Sequence, residues 1–212
     1  MKNSLLILLM MVCFGSNAQI ETDDLAITLG VSAMPLFNDH NAAFDMSVRY
    51  YLTDQFSIGG NFYTSSPRFT HGFGFATDRT LINMYAISVP LQYEVINANK
   101  FSLGFGFSNG VLINVLRDRN ETTPQDYWDS DTGIGTSWDV PLKLGTNTFY
   151  VVTPYAEASY KLLSLDRSED LSLFLTGKAG YQNVLGSGSF SKAKDFTDYI
   201  ISIGITIKGT TK

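Results

Sequence analysis

Cysteine is almost absent, the single one being Cys13. No disulfide within the chain can staple it, so the fold is held by its own core or by a bilayer. Charge is scarce as well. Charged residues make up 17% of the sequence, against about 25% in ordinary soluble domains, and a water-facing exterior would be short of them. The net charge of −5 is the wrong sign for phosphate backbones, so no nucleic-acid partner is expected. After residue 19 no stretch approaches the roughly 20 apolar residues of a membrane-spanning helix. If this chain crosses a membrane, it must do so as a closed barrel, which leaves no backbone group unpaired in lipid.

At the N-terminus, Lys2 is followed by an apolar run from Leu5 to Phe14 and then by "GSNAQ". That order is the pattern of a secretory signal peptide, with cleavage expected between Ala18 and Gln19. Val12 stands where a lipoprotein signal needs a small residue, so Cys13 is not expected to carry lipid. Residues 1–18 are then a leader, and 19–212 is the size of a single domain, particularly an all-β one. Only "GTTK" follows the last patterned run, so no appended domain is expected.

The period of the mature sequence is two rather than 3.6, and eight runs carry it. They begin with "LAITLGVSA", "FDMSVRYYL" and "FSIGGNFY", continue through "YAISVPLQYEV", "FSLGFGF" and a run within 149–163, and end with "LSLFLTGKAGY" and "YIISIGITIK". In each, large apolar residues alternate with Ser, Thr, Gly and Ala and a few charges. A sheet face turned to water would carry abundant Lys and Glu. Small residues instead suit the narrow lumen of a barrel of about eight strands, which side chains can just fill. Phe101, Leu103, Phe105 and Phe107 are therefore expected to face lipid, with Gly104 and Gly106 turned inward to make room for longer neighbours.

Connection lengths alternate in the same sense. "TDQ", "NANK" and "SLDRSED" follow the second, fourth and sixth runs, whereas "NDHNA" and the spans of about 66–80, 114–148 and 185–197 follow the others. Short turns at one end and long loops at the other are the habit of outer-membrane barrels. Aromatics gather near the run ends: Tyr50, Tyr51, Phe56, Tyr93, Phe101 and Tyr160 by the short turns, and Phe44, Phe62, Tyr63, Tyr85, Phe149, Tyr150, Tyr181 and Tyr199 by the long loops. They suggest two interfacial girdles.

With this phrasing, "ISVPLQYEV" and "YIISIGITIK" above all, the chain resembles the small outer-membrane β-barrel proteins, the family of OmpX and of the OmpA membrane domain. The resemblance spans nearly the whole mature chain and implies an all-β fold: an eight-stranded antiparallel up-and-down transmembrane β-barrel. It also implies outer-membrane lipid as surroundings and the barrel-assembly machinery as a partner during biogenesis. One departure is the C-terminus, where family members commonly place an aromatic and this chain has "KGTTK" after Ile207.

Inward parity puts Arg49, Glu94, Glu157 and Lys161 in the lumen toward the short-turn end, with Lys208 close by. Confined charges need partners, because desolvation is costly. A plug-like network is expected, with an ion or proton path as the alternative. Catalysis would need a histidine held by an orienting group beside a nucleophile or water. Only His40, beside Asp39, and His71, beside Thr70, are available, both in expected loops. Neighbours in sequence seldom face one another, so no enzyme is expected. Neither a cofactor nor a metal is called for: Asp126, Asp129 and Asp131 in "DYWDSDTG" lack the spacing of a calcium loop. Tyr127, Trp128 and Trp138 lie in the longest loop, where they either contact a protein or surface ligand or pack the loop onto the rim, since "SWDVPLKLG" could extend the sixth strand. The expected role is structural, adhesive or partner-binding. A small solute-permeable barrel, an enzyme using a loop histidine and an exported soluble ligand-binding barrel are the alternatives.

Overall fold

The computed structural model describes residues 25–129, 134–165 and 171–209, with backbone alone at 127–129 and 134. The proposed leader, residues 1–18, lies outside them. Nine strands follow in order: β1 (Leu25–Leu36), β2 (Asp39–Tyr51), β3 (Phe56–Ser65), the two-residue β4 (Arg68–Phe69), β5 (Thr80–Ala98), β6 (Phe101–Asp129), β7 (Ile134–Ser164), β8 (Leu171–Leu185) and β9 (Asp198–Gly209). Neighbours are antiparallel in the order β3-β2-β1-β9-β8-β7-β6-β5, and a further pairing of β3 with β5 closes eight strands into a ring. β4 is a short flap on the end of β5. The fold is the eight-stranded up-and-down barrel expected from the eight runs.

β9 illustrates why these segments form strands. Its β-branched and aromatic residues favour a pleated chain, and Tyr199, Ile201, Ile203, Ile205 and Ile207 all stand outward while Ser202 and Thr206 are buried inside. A slip of one residue would exchange the two faces. The inward glycines of "FSLGFGF" do make room. A Cβ on Gly106 would meet the Tyr155 ring at 2.7 Å, and one on Gly104 would meet Gln92 Nε2 at 2.8 Å. Replacing Gly106 by valine is therefore expected to evict Tyr155 and to lower the folded fraction in a refolding assay, whereas Gly60→Ala, with open space around it, should leave that fraction unchanged.

Three expectations need correction. "NDHNA" is not a loop: β1 and β2 continue to Leu36↔Asp39, and the turn is only Phe37 and Asn38, both in the left-handed region at φ 54° and 63°. Such two-residue turns match the twist of a hairpin, and they place His40 on β2. The span 114–148 is likewise mostly strand. β6 and β7 pair from Phe101↔Tyr160 as far as Asp129↔Ile134, with register shifts on either side of Arg117. Finally, Tyr51, Tyr63 and Phe149 are not girdle residues, since all three are buried inside the ring.

The interior divides along the barrel axis. Toward the long loops it is apolar, built from Met34, Leu36, Ile82, Met84, Leu112, Leu116 and Phe149 and capped by Phe190 and Phe196, which the connection after β8 and its short 3-10 helix (Ala193–Phe196) fold inward. The middle is polar and charged. At the short-turn end it opens into a vestibule of 690 Å³.

Candidate functional site

The lumen site begins with Arg49 on β2, whose backbone parity sends a guanidinium into a space walled by strands. Arg49 Nη1 lies 2.6 Å from Glu157 Oε1 on β7 and donates to Gln92 Oε1 on β5 at 2.7 Å. Gln92 Oε1 also accepts from the Tyr155 hydroxyl at 3.2 Å, the ring that Gly106 accommodates. One arginine on β2 thus reaches β7, directly across the ring, and β5, two places along it. A planar guanidinium suits this, because it offers several fixed donors at once.

Toward the short turns, the Tyr51 hydroxyl donates to Glu94 Oε1 at 2.7 Å, and Lys208 Nζ sits 3.9 Å from the centre of the Tyr51 ring. Lys161 joins Lys208 in the vestibule wall. All five expected lumen charges therefore face the interior, although they form two clusters rather than one chain: Arg49 with Glu157, and Glu94 with Tyr51 and Lys208. Two charges of equal standing were missed. Lys178, opposite Glu157 across β7 and β8, lies 3.6 Å from Asp45 Oδ2 and 5.1 Å from the Tyr63 ring centre. Ser32 donates to the same Asp45 oxygen at 2.9 Å. Their inward parity is the signal that could have found them.

Hydroxyls fill the remaining polar positions. Thr28 and Thr206 are 2.8 Å apart, Thr206 and Thr176 2.7 Å, and Thr176 and Ser159 2.9 Å. Such mutual pairing satisfies buried oxygens without charge. Between the vestibule and the apolar cap, the space left includes cavities of 20 and 10 Å³, about the volume of a single water each. The lumen is packed, and its far end is sealed by aromatic and aliphatic side chains.

Neither histidine stands in a catalytic arrangement. His40 Nε2 donates to the Tyr199 carbonyl at 2.9 Å, while the His71 ring packs 4.0 Å from Phe73 and 5.4 Å from Phe69, centre to centre. Among the described residues no group of three or more potential metal ligands gathers. Asp126 lies on β6 opposite Ser137, and Asp131 lies outside the described residues.

Beyond the ring, β6 loses its β5 neighbour after Asp118 and β7 gains β8 only at Tyr150. Among the described residues the intervening hairpin has no strand partner on either outer edge. At about 3.3 Å per residue, its β6 arm reaches roughly 35 Å along the strand. Its base is stitched to the β4–β5 connection: Asp118 Oδ1 accepts from Thr77 at 2.8 Å, Asn120 donates to Asp78 at 2.6 Å, and the Arg119 amide donates to the Arg79 carbonyl at 2.9 Å. Trp138 is exposed on the hairpin, opposite Gln125. Tyr127 and Trp128 lie on the same hairpin, opposite Thr136 and Gly135.

The outer wall decides the class. Leu29, Val31, Val48, Ile87, Val89, Phe105, Phe107, Leu175, Ile201 and Ile203 are all exposed there, Ile203 at 55%, so every strand of the ring except β3 and β7 contributes from this set to one apolar band. A band drawn from six of the eight strands is far beyond the few hundred Å² of apolar patch that a soluble monomer shows. The protein is a transmembrane β-barrel. Its short turns, longer far-side connections and outward apolar face are those of the outer-membrane type, and Tyr93, Tyr160, Tyr150, Tyr181 and Tyr199 remain outward near the strand ends as girdle residues.

No protein-family model matches the chain, and no curated protein matches its sequence. Among solved structures it is similar to the attachment invasion locus protein Ail of Yersinia pestis, at 9% identity and a TM-score of 0.42 over 88% of this chain and 97% of that one. OprG of Pseudomonas aeruginosa is similar at 12% identity and a TM-score of 0.46, covering 88% and 95%. The outer membrane protease OmpT of Escherichia coli is similar at 12% identity and 0.39, covering 91% and 98%.

Proposed function

We propose that this barrel, exported with residues 1–18 removed, is a non-enzymatic surface protein whose external hairpin between β6 and β7 contacts a protein or surface ligand, the barrel serving as anchor. The free-standing hairpin carries this reading. Among the described residues its outer edges have no strand partner beyond the base, which favours contact with another chain, and Trp138 adds an exposed ring of the type enriched at interfaces. The lumen argues against a solute-permeable barrel, because Phe149, Phe190 and Phe196 fill the mouth and Arg49, Glu157 and Lys178 cross the middle. The role of the charges is to hold the plug together.

The test is to replace residues 119–142 by a tight turn and compare cells displaying either form for adhesion to surfaces coated with proteins or glycans. Adhesion is expected to fall to background while the shortened barrel still migrates faster unheated than boiled on a gel. Full adhesion by the shortened form would refute the reading. In planar bilayers the native barrel is expected to be electrically silent, and steady conductance would favour the permeable alternative.

A further inference from the structure

We propose that a row of cations on the outer wall, just beyond the external girdle, is a binding site for the phosphorylated headgroup of a lipid in the outer leaflet. Register places Arg68 of β4 beside Leu81 of β5, Leu81 beside Arg117 of β6, and Arg117 beside Lys143 of β7. Residues paired directly across a sheet share a face. That face is the outer one. Thr80 and Ile82 on either side of Leu81, and Leu116 and Asp118 on either side of Arg117, are all buried, and Phe69 and Leu144, next to Arg68 and Lys143, pack against the apolar cap. Arg79 and Arg119 stand one step further out, both exposed and joined by the bond between the Arg119 amide and the Arg79 carbonyl.

These charges are not matched by acids of the chain. Among the described residues none of the five takes part in an ion pair. Arg117 donates Nη1 to the Pro141 carbonyl at 2.9 Å and leaves Nε without a partner. Asp118 is turned inward and its Oδ1 accepts from Thr77 and from the Asn120 amide, while Asp78 accepts from the Asn120 side chain. Glu121 and Asp139 are exposed but lie four residues further up the hairpin than Arg117 and Lys143. Among the described residues the hairpin ends at Asp129 and Ile134, and the nine residues from Ile134 to Lys143 span roughly 30 Å.

The position of the row names its occupant. Leu81 and Arg117 continue the outward faces of β5 and β6, which run through Tyr85 and its partner Ile113 to Ile87 and Val111 in the apolar band. The four residues from Tyr85 to Leu81 cover about 13 Å along the strand, and less in height because barrel strands tilt. This puts the row at the level of the headgroups, just outside the hydrocarbon. A lipid lying against Ile113 and Val115 carries its phosphate to Arg117 and Lys143, and a guanidinium fork suits phosphate oxygens. The opposite sector of the rim carries acids instead, Asp39 on β2 and Asp198 on β9, so the site is confined to one side of the barrel.

The experiment reconstitutes the full mature barrel in phosphatidylcholine vesicles, with Trp128 and Trp138 replaced by phenylalanine and Ile113→Trp as the reporter. Bromine quenches a nearby indole, so brominated phosphatidic acid compared with brominated phosphatidylcholine gives the relative affinity of the two lipids at that spot. A preference of about tenfold for phosphatidic acid is expected. Arg68→Gln and Lys143→Gln should each lower it by up to about fivefold, the share of one cation near a lipid surface, and together bring it close to unity. Neither side chain has a partner within the protein, and heat-modifiable migration confirms that the variants are folded. Added salt should weaken the preference, and a reporter at Ile201→Trp on β9 should show none. Equal quenching by the two lipids at position 113, or a preference above fivefold in the double variant, would overturn the proposal. So would loss of the preference in millimolar inorganic phosphate but not in sodium chloride of the same ionic strength, which would assign the row to a soluble anion.

Discussion

Replacing Arg49 by leucine while Glu157 is left in place is expected to destabilise the folded barrel by about 3–5 kcal/mol, the usual consequence of stranding one member of a buried ion pair. Arg49 is 3% exposed and Glu157 7%, so little water can solvate the orphaned carboxylate. Gln92 loses its charged donor as well. Urea titration of the barrel in detergent, followed by loss of the fast-migrating unheated band, measures the effect. The double replacement Arg49→Leu, Glu157→Leu should recover most of the loss, because exchanging a buried pair for apolar side chains is often close to neutral. A single-variant cost below about 1 kcal/mol would match an exposed, screened pair and would remove the network from the forces that hold the lumen shut.

Ile203→Arg is expected to cost about 2–4 kcal/mol in lipid bilayers, the penalty for arginine on the lipid face near the midplane of a barrel. Ile203 sits in the middle of β9, opposite Val31 of β1 and Gly177 of β8. The prediction separates the two meanings of an exposed side chain. On a water-facing sheet an arginine there would change stability by about 0.5 kcal/mol or less. Asn120→Arg at the hairpin base serves as the control and should cost no more than the loss of its bond to Asp78.

The barrel itself was legible because period two admits few other solutions. β9 shows this most plainly, with every outward residue from Tyr199 to Ile207 placed correctly by alternation alone. The extension of β6 was not legible, since the charges and Pro124 between Arg117 and Asp129 break the apolar pattern, and the register shifts beside Arg117 break the period itself. "SWDVPLKLG" in β7 did carry the signal for its half of the hairpin. The Phe37–Asn38 turn was misread because Asn and Asp in "NDHNA" look like loop residues, whereas Asn38 serves the left-handed position of a tight turn.

Within the lumen, parity placed Arg49, Glu94, Glu157 and Lys161, with Lys208 close by, but could not say which would meet. Asp45 and Lys178 lie on β2 and β8, which are not neighbours, so their approach depends on the stagger of the closed ring rather than on any spacing in the chain. Tyr51 alternates with Arg49 and belongs inside by the same rule. Its ring at a strand end resembled a girdle residue, yet its hydroxyl had a partner waiting in Glu94. Phe149 shares the parity of Val151 and Thr153. The apolar cap it belongs to was invisible because the long-loop residues that complete it, Phe190 and Phe196, carry no periodic signal.

The most direct test is spin-label accessibility along β9 in lipid vesicles, with single cysteines introduced in turn at positions 201 to 206 of the mature chain. The barrel described above predicts high collision rates with oxygen, which concentrates in lipid, at 201, 203 and 205, low rates at 202, 204 and 206, and little collision with a water-soluble nickel complex at the odd positions. Odd positions that collide freely with nickel and not with oxygen would mean that the apolar face meets water, and the transmembrane reading would fall.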